Sequence, residues 1–128
     1  IPVATGEIHQ TRWDFEQILN NNAADILQSD AGVCGGITEW RKIASMAAGR
    51  DVTIAPHWLA DIHVHLVAST PNASWVEYFT DHSVLNIGRL FSTSLEIKDA
   101  GLKIPQNPGI GVEFDNDAVQ KFSIDGWE

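Results

Sequence analysis

Glu7, Asp30, His57 and Glu77 follow one another at intervals of 23, 27 and 20 residues, and each closes a short apolar run. The runs are Ile1–Thr5, Asp25–Gln28, Val52–Ala55 and Trp75–Val76. A carboxylate such as Glu7 at a strand end is a hard oxygen donor suited to a cation such as Mg²⁺, although one carboxylate cannot build that site. An Asp that accepts an imidazole N–H orients the ring and raises its basicity, which leaves the other nitrogen free to move a proton. Asp30 and His57 have the types for that pair. Glu77 lies among Trp75, Val76, Tyr78 and Phe79, and period-two phasing with Trp75 and Phe79 predicts an inward-facing side chain. Apolar surroundings raise a carboxyl pKa, so the expectation is a protonated donor to a developing oxyanion. Each residue also has a plainer reading: a loop Glu capping a helix, a turn Asp before Ala31-Gly32, a structural His, an outward strand Glu.

The elements that must position these residues follow from the same spacing. About one strand, one crossover helix and two short loops fit in each interval. A polar residue at the same phase of successive βα units is the pattern of a TIM-type barrel, whose active site collects at the C-terminal ends of the strands. The predicted class is therefore α/β, with parallel βα units over 1–80. A full barrel needs roughly 250 residues, so 128 residues correspond to about half of one. The absence of an initiator Met and a first run that reads as a strand interior also predict a fragment.

Between the strands, Trp13, Ile18 and Leu19 share a helical face, with Thr11 as the expected N-cap. A second helix is expected from the Gly32–Trp40 stretch to about Ala48, with Thr38 as a possible cap and Ile37, Trp40, Ile43, Ala44 and Ala47 as its apolar stripe. The stretch from Trp58 to Ser69 is ambiguous: Ile62–Leu66 alternates with period two, while Leu59, Ile62, Leu66 and Val67 fit a helix. Parallel neighbours require a crossover, which decides for helix. From Asp81 the pattern changes. Leu95–Pro105 reads as two strands around a turn at Asp99–Gly101, and Asp115–Lys121 as a short helix. The segment 81–128 is expected to leave the barrel.

Composition narrows the function. With 8 basic against 17 acidic residues the net charge is −9, which argues against nucleic acid or a polybasic membrane patch as partner. No apolar run approaches the roughly 18 residues of a membrane span, and no signal-peptide pattern is present. The single Cys34 cannot form an internal disulfide, and the expected location is cytoplasmic. The sequon at Asn72 carries no weight without a secretory signal. Gly32–Gly36 lacks the Lys-Ser/Thr of a P-loop and reads as a turn. His63 and His65 form a His-x-His pair of the kind found in metal-dependent hydrolases, and His57, His63 and His65 form the metal set of that alternative. On a helix, residues two apart point about 200° from one another and cannot share an ion.

Several ordered motifs together resemble the mandelate racemase subgroup of the enolase superfamily. They are Ile1-Pro2-Val3-Ala4-Thr5-Gly6-Glu7, Gln28-Ser29-Asp30-Ala31-Gly32 with Gly35-Gly36-Ile37-Thr38-Glu39-Trp40, Ala55-Pro56-His57, Trp75-Val76-Glu77 and the closing Pro108-Gly109-Ile110-Gly111-Val112. The resemblance implies a (β/α)₇β barrel with a capping domain, this chain supplying the last four barrel strands and an excursion toward the cap. It implies Mg²⁺ held by three carboxylates, with Glu7 similar to the third. It implies His57 and Asp30 as an acid–base dyad and Glu77 as a donor to the substrate carboxylate. The reaction so implied is abstraction of the proton α to a carboxylate, followed by loss of a β-hydroxyl in an acid-sugar dehydratase or by racemisation. His9 is a candidate substrate contact, with a solvated loop histidine as its plainer reading. The first two metal ligands and the lysine of a two-base mechanism have no counterpart among Lys42, Lys98, Lys103 and Lys121. The implied partners are a sugar acid, the N-terminal half of the barrel with its cap, and further copies in a homo-oligomer. A catalytically inert fragment stands as the remaining alternative.

Overall fold

The structure is a computed structural model, and it describes residues 1–81, 83 and 85–124. The chain divides into two compact units, Ile1–Tyr78 and Phe79–Glu128.

In the first unit three short strands, β1 (Ala4–Thr5), β2 (Ile26–Leu27) and β3 (Thr53–Ile54), form a parallel sheet in sequential order. Helix α1 (Thr11–Asn20) crosses from β1 to β2. Helices α2 (Ala31–Cys34) and α3 (Ile37–Ala48) cross from β2 to β3, and α4 (Ala60–Ala68) follows β3. The sequence is therefore a run of βα units with parallel strands, as the spacing predicts. The ladder pairs Thr5 with Leu27 and Leu27 with Ile54. Leu27 and Ile54 are fully buried and join Phe15, Ile18, Leu19, Trp40, Ile43, Ala44, Ala47 and Leu66 in one core. That row fixes which face of the sheet meets the helices, since a strand shifted by one residue would turn it to the other side.

Helix boundaries depart from expectation in two places. Thr11 is the first residue of α1 at φ 53°, and the cap position belongs to Gln10, whose side chain makes no capping bond. Thr38 lies inside α3, whose cap is Gly36. The Gly35-Gly36 pair, at φ 111° and 93°, divides the expected second helix into α2 and α3. Glu39 in the first turn of α3 accepts the Arg12 N–H at 3.0 Å and its guanidinium Nη1 at 2.7 Å, which ties the two helix starts together. The Arg12 backbone bond, ahead of its charge, holds the Glu39 carboxyl below the ordinary carboxylate value. Gly6 needs to be glycine for space as well as for its φ of 130°, because a Cβ there would stand 2.8 Å from Phe15 Cε1. Asn72 donates from Nδ2 to the carbonyls of Ala44 and Val52, and so fastens the end of α3 to the start of β3.

The expected fourth strand is much reduced. Ala73 makes an isolated parallel bridge to Ile54, and residues 74–79 adopt no regular strand. Trp75 is 70% exposed. The apolar run ending at Glu77 has no neighbouring strand on its far side among the described residues, so alternation there does not become burial.

In the second unit a 3₁₀ turn at Asn86–Leu90 precedes a hairpin of β4 (Ile97–Lys98) and β5 (Gly101–Leu102), and α5 (Asn116–Phe122) closes the described chain. Asp99 and Ala100 both take positive φ, as a two-residue hairpin turn requires. Asp115 caps α5 through bonds from Asp117 N–H and Ala118 N–H. Phe91 bridges Phe114, with ring centroids 5.1 Å apart. A Cβ on Gly111 would fall 2.3 Å from Pro105 Cβ, which accounts for the glycine in that loop.

Cys34 is fully buried at the end of α2. Burial, reinforced by the charges of Asp30 and Glu39, pushes its thiol up to about 11. Since the thiolate is the reactive form, Cys34 is expected to resist iodoacetamide in the folded chain and to label in urea. Equal labelling rates in the two states would contradict its placement.

Candidate active site

The strand ends converge on a chain of three side chains. Asp30 caps α2 and is 1% exposed. Its Oδ1 accepts the Gly32 N–H at 2.7 Å, and its Oδ2 lies 3.1 Å from His57 Nδ1. A carboxylate accepts only, so Nδ1 carries the proton and Nε2 is left as the basic nitrogen. Nε2 in turn faces Glu7 Oε2 at 3.7 Å, with the Glu7 side chain 55% exposed. The order is thus a buried orienting acid, a ring and an exposed carboxylate. The first link is a hydrogen bond. The second becomes an ion pair when the ring is protonated.

The ladder explains why these residues meet. Asp30 lies four residues beyond Ile26 and His57 four beyond Thr53, and Ile26 pairs with Thr53, so the two are level. Glu7 lies only three beyond Ala4, which pairs with Ile26. The common phase expected of all four residues therefore holds for Asp30 and His57 but not for Glu7. Gly6, at φ 130°, ends the strand and re-aims the chain before it.

Glu77 is exposed, not enclosed by the aromatic side chains around it. Its Oε2 accepts the Trp58 N–H at 2.8 Å, so the carboxylate holds the residue that follows His57. Its expected burial fails because the chain from 74 to 79 does not continue the sheet. His9 is half-buried, its ring 5.9 Å from that of Phe15, and is not the solvated loop histidine of the plainer reading. Its Nδ1 has no hydrogen-bond partner among the described residues.

Two residues take roles at this site that the sequence reading did not give them, Trp40 having been read only as part of an apolar stripe and His63 only as one of a candidate metal set. Trp40, fully buried, donates from Nε1 at 2.9 Å to the carbonyl of Ser29, the residue before Asp30. His63, fully buried on α4, accepts the Ala31 N–H at Nε2 (3.0 Å) and donates from Nδ1 to the Trp58 carbonyl (2.7 Å). Both ring nitrogens are taken, which removes His63 from the metal set of the hydrolase alternative. Among the described residues no group of three or more His, Cys, Asp and Glu side chains could hold a metal ion. The spacing of Ala60, His63 and Val64 was the available clue to His63; the expected stripe holds at Leu66, which is buried, and at Ile62, which packs against the core, but it left out the face that carries His63.

The fold is thus α/β, with a parallel sheet that brings a buried Asp, a His ring and an exposed carboxylate together at one end. Residues 1–118 match the family described as enolase C-terminal domain-like, and the chain belongs to that family. It is 34% identical to the L-talarate/galactarate dehydratase of Salmonella typhimurium over 91% of its own length and 28% of that protein. It is 31% identical to the arabinonate dehydratase of Saccharolobus solfataricus over 95% of its length and 34% of that protein. Among solved structures, the L-talarate dehydratase of Polaromonas sp. JS666, complexed with Mg and L-glucarate, superposes with a TM-score of 0.81 at 36% identity, covering 91% of this chain and 31% of that one. The chain spans about a third of the length of these relatives. No helix among the described residues is long and apolar enough to cross a membrane.

Burial is the main cause that lowers the His63 pKa from 6.5, and the bond to the Trp58 carbonyl and the charge of Asp30 oppose it. Below pH 6.5 the unfolded chain takes up a proton that the folded ring refuses. Stability is therefore lost as the pH falls from 6.5 toward the lowered folded value, and the contribution is level above 6.5. His63→Gln removes this dependence, so urea unfolding is expected to show the stability gap between wild type and variant narrowing in acid. A gap that widens would show the opposite sign of shift.

Proposed function

We propose that this chain is the C-terminal part of an Mg²⁺-dependent acid-sugar dehydratase, completing a (β/α)₇β barrel whose first half and capping domain lie in the rest of the enzyme. The observation that carries this reading is the Asp30–His57 pair, with Nδ1 committed to a buried carboxylate at 3.1 Å and Nε2 left basic. Both relatives are dehydratases, which favours dehydration over the racemisation common to the wider superfamily. In this reading the sheet face opposite the helices lines the barrel interior, and the outer edge of β1 pairs with the preceding strand. The second unit, 79–128, runs to the capping domain. The partner is a small sugar acid.

The chemistry follows from the residues. His57 Nε2 takes the proton α to the substrate carboxylate, and the resulting imidazolium is stabilised by the Asp30 carboxylate on its far side. The C–O bond at the β-carbon then breaks. The leaving hydroxide receives the proton back from Nε2 and departs as water, so one histidine serves both steps and the enol product tautomerises to a ketone. Glu7, exposed beside His57, would contribute one carboxylate to the Mg²⁺ site, the other ligands coming from outside this chain. When bound, the ion neutralises negative charge developing on the substrate carboxylate. Glu77 would donate a hydrogen bond to that carboxylate, while its Oε2 keeps the bond from the Trp58 N–H. His9 would stand at the rim as a lesser substrate contact.

The test is a screen of the full-length enzyme against acid sugars, beginning with galactarate, L-talarate and arabinonate, which the relatives' names suggest. Loss of water and solvent-deuterium exchange at the α-carbon are the readouts. His57→Asn is expected to lower turnover by roughly 10²–10⁴-fold, and Asp30→Asn to follow it, as for the loss of an acid–base group. Dehydration undiminished in His57→Asn would refute the assignment.

Glu7→Gln tests a separate part of the site. It is expected to weaken Mg²⁺ binding to the full-length enzyme, measured by calorimetry without substrate, because a neutral amide replaces an anionic ligand. Unchanged affinity would remove Glu7 from the ligand set.

A further inference from the structure

Two loops must be held together for His57 to meet Asp30. One runs from Asp30 into α2, the other from His57 into α4, and they are joined by more than the dyad itself. His63, 0% exposed, takes a bond from the first loop at Ala31 N–H and gives one to the second at the Trp58 carbonyl. The residues it bonds, Ala31 and Trp58, immediately follow Asp30 and His57. The second loop needs restraint, because Trp58 and Leu59 sit at φ 49° and 34°, a left-handed conformation costly for side chains of this kind. The Leu59 side chain also lies over Gly32, where a Cβ would come within 2.7 Å of Leu59 Cδ1. On the side of the first loop, Trp40 holds the Ser29 carbonyl and sets its ring 6.3 Å from that of His63.

We infer that His63 is a positioning residue: its neutral, Nδ1-protonated ring bolts the His57 loop to the Asp30 loop and so sets the dyad geometry. Only a ring with a donor at Nδ1 and an acceptor at Nε2 serves both loops at once. The other tautomer would aim Nε2–H at the Ala31 N–H and leave two carbonyl and ring acceptors facing one another. The imidazolium would lose the Ala31 bond. The inference rests on the proposed reading only in assigning a catalytic consequence to the dyad; the latch itself is independent of any substrate.

The first test is ¹⁵N NMR of the histidine rings at alkaline pH. In the wild-type protein His63 is expected as the Nδ1–H tautomer, and His57 as a single Nδ1–H tautomer held by Asp30. In His63→Leu the His57 shifts are expected to move toward the average of the two tautomers. His63→Asn, which keeps the bond to Trp58, and His63→Gln, which keeps the bond to Ala31, are expected to fall between, and they decide the matter if the Leu variant does not fold. An Nε2–H tautomer for His63, or an unaltered His57 tautomer in folded variants of lower stability, would overturn the proposal.

In the full-length enzyme, turnover per folded molecule of whichever acid sugar the screen identifies is expected to fall by about 10²-fold in His63→Leu, the cost of a small misplacement. KM should change little, with Asn and Gln restoring part of the loss. A loss that merely tracks the unfolded fraction would make the role structural and overturn the positioning claim. Should no acid sugar be turned over, the dehydratase reading fails while the NMR result still judges the latch.

Discussion

The buried carboxylate of Asp30 is the constraint around which the first unit is arranged. A carboxylate out of water is costly unless its oxygens are bonded. Here one oxygen is met by Gly32 N–H and the other by His57 Nδ1. The first bond requires α2 to start immediately after the residue, and so fixes how the chain leaves β2. The second requires the end of β3 to lie beside the end of β2. The parallel ladder provides that adjacency, with Asp30 and His57 equally far past paired residues. Satisfying the acid thus orients the ring, and the same bond leaves Nε2 free.

The supporting layer keeps those bonds in place. Trp40 fills the core and spends its one donor on the Ser29 carbonyl. Glu77 and His63 grip the N–H and the carbonyl of Trp58, so the strained residue after His57 is held from both ends of its backbone. Glu7 differs in kind. It is exposed, reaches the site through a glycine bend, and interacts with His57 at a distance suited to charge and not to a hydrogen bond. In the proposed reading Glu7 is a metal ligand shared with groups outside this chain.

Leu27 and Ile54 are sealed under the helices, while Ile1 and Val3 near the first strand and Trp75 after the last are exposed. Apolar residues at both margins of a parallel sheet are a surface that ordinarily continues into further strands and helices. The proposed reading continues the sheet in this way; the relatives it matches are about three times as long as this chain.

Much of this was legible in the chain itself. Recurring strand-ending residues, apolar runs and crossover-length spacing specify parallel βα units, because strand and helix periods and the reach of a crossover are local matters. The residue types and their spacing also pointed to Asp30 as a partner that orients the His57 ring, and local turn and cap signals put a hairpin turn at Asp99–Gly101 and a short helix over Asp115–Lys121, close to the observed β4–β5 hairpin and α5. The tertiary structure alone decided the rest. It showed that Glu7 is a residue out of step with Asp30 and His57, that Glu77 lies outside the sheet and holds Trp58, and that His63 bonds the backbone of both Ala31 and Trp58. The physical reason is common to all three. Each depends on which atoms lie across a gap between segments distant in sequence, and periodicity reports the face a residue takes on its own element but not the partner that the neighbouring element brings to it.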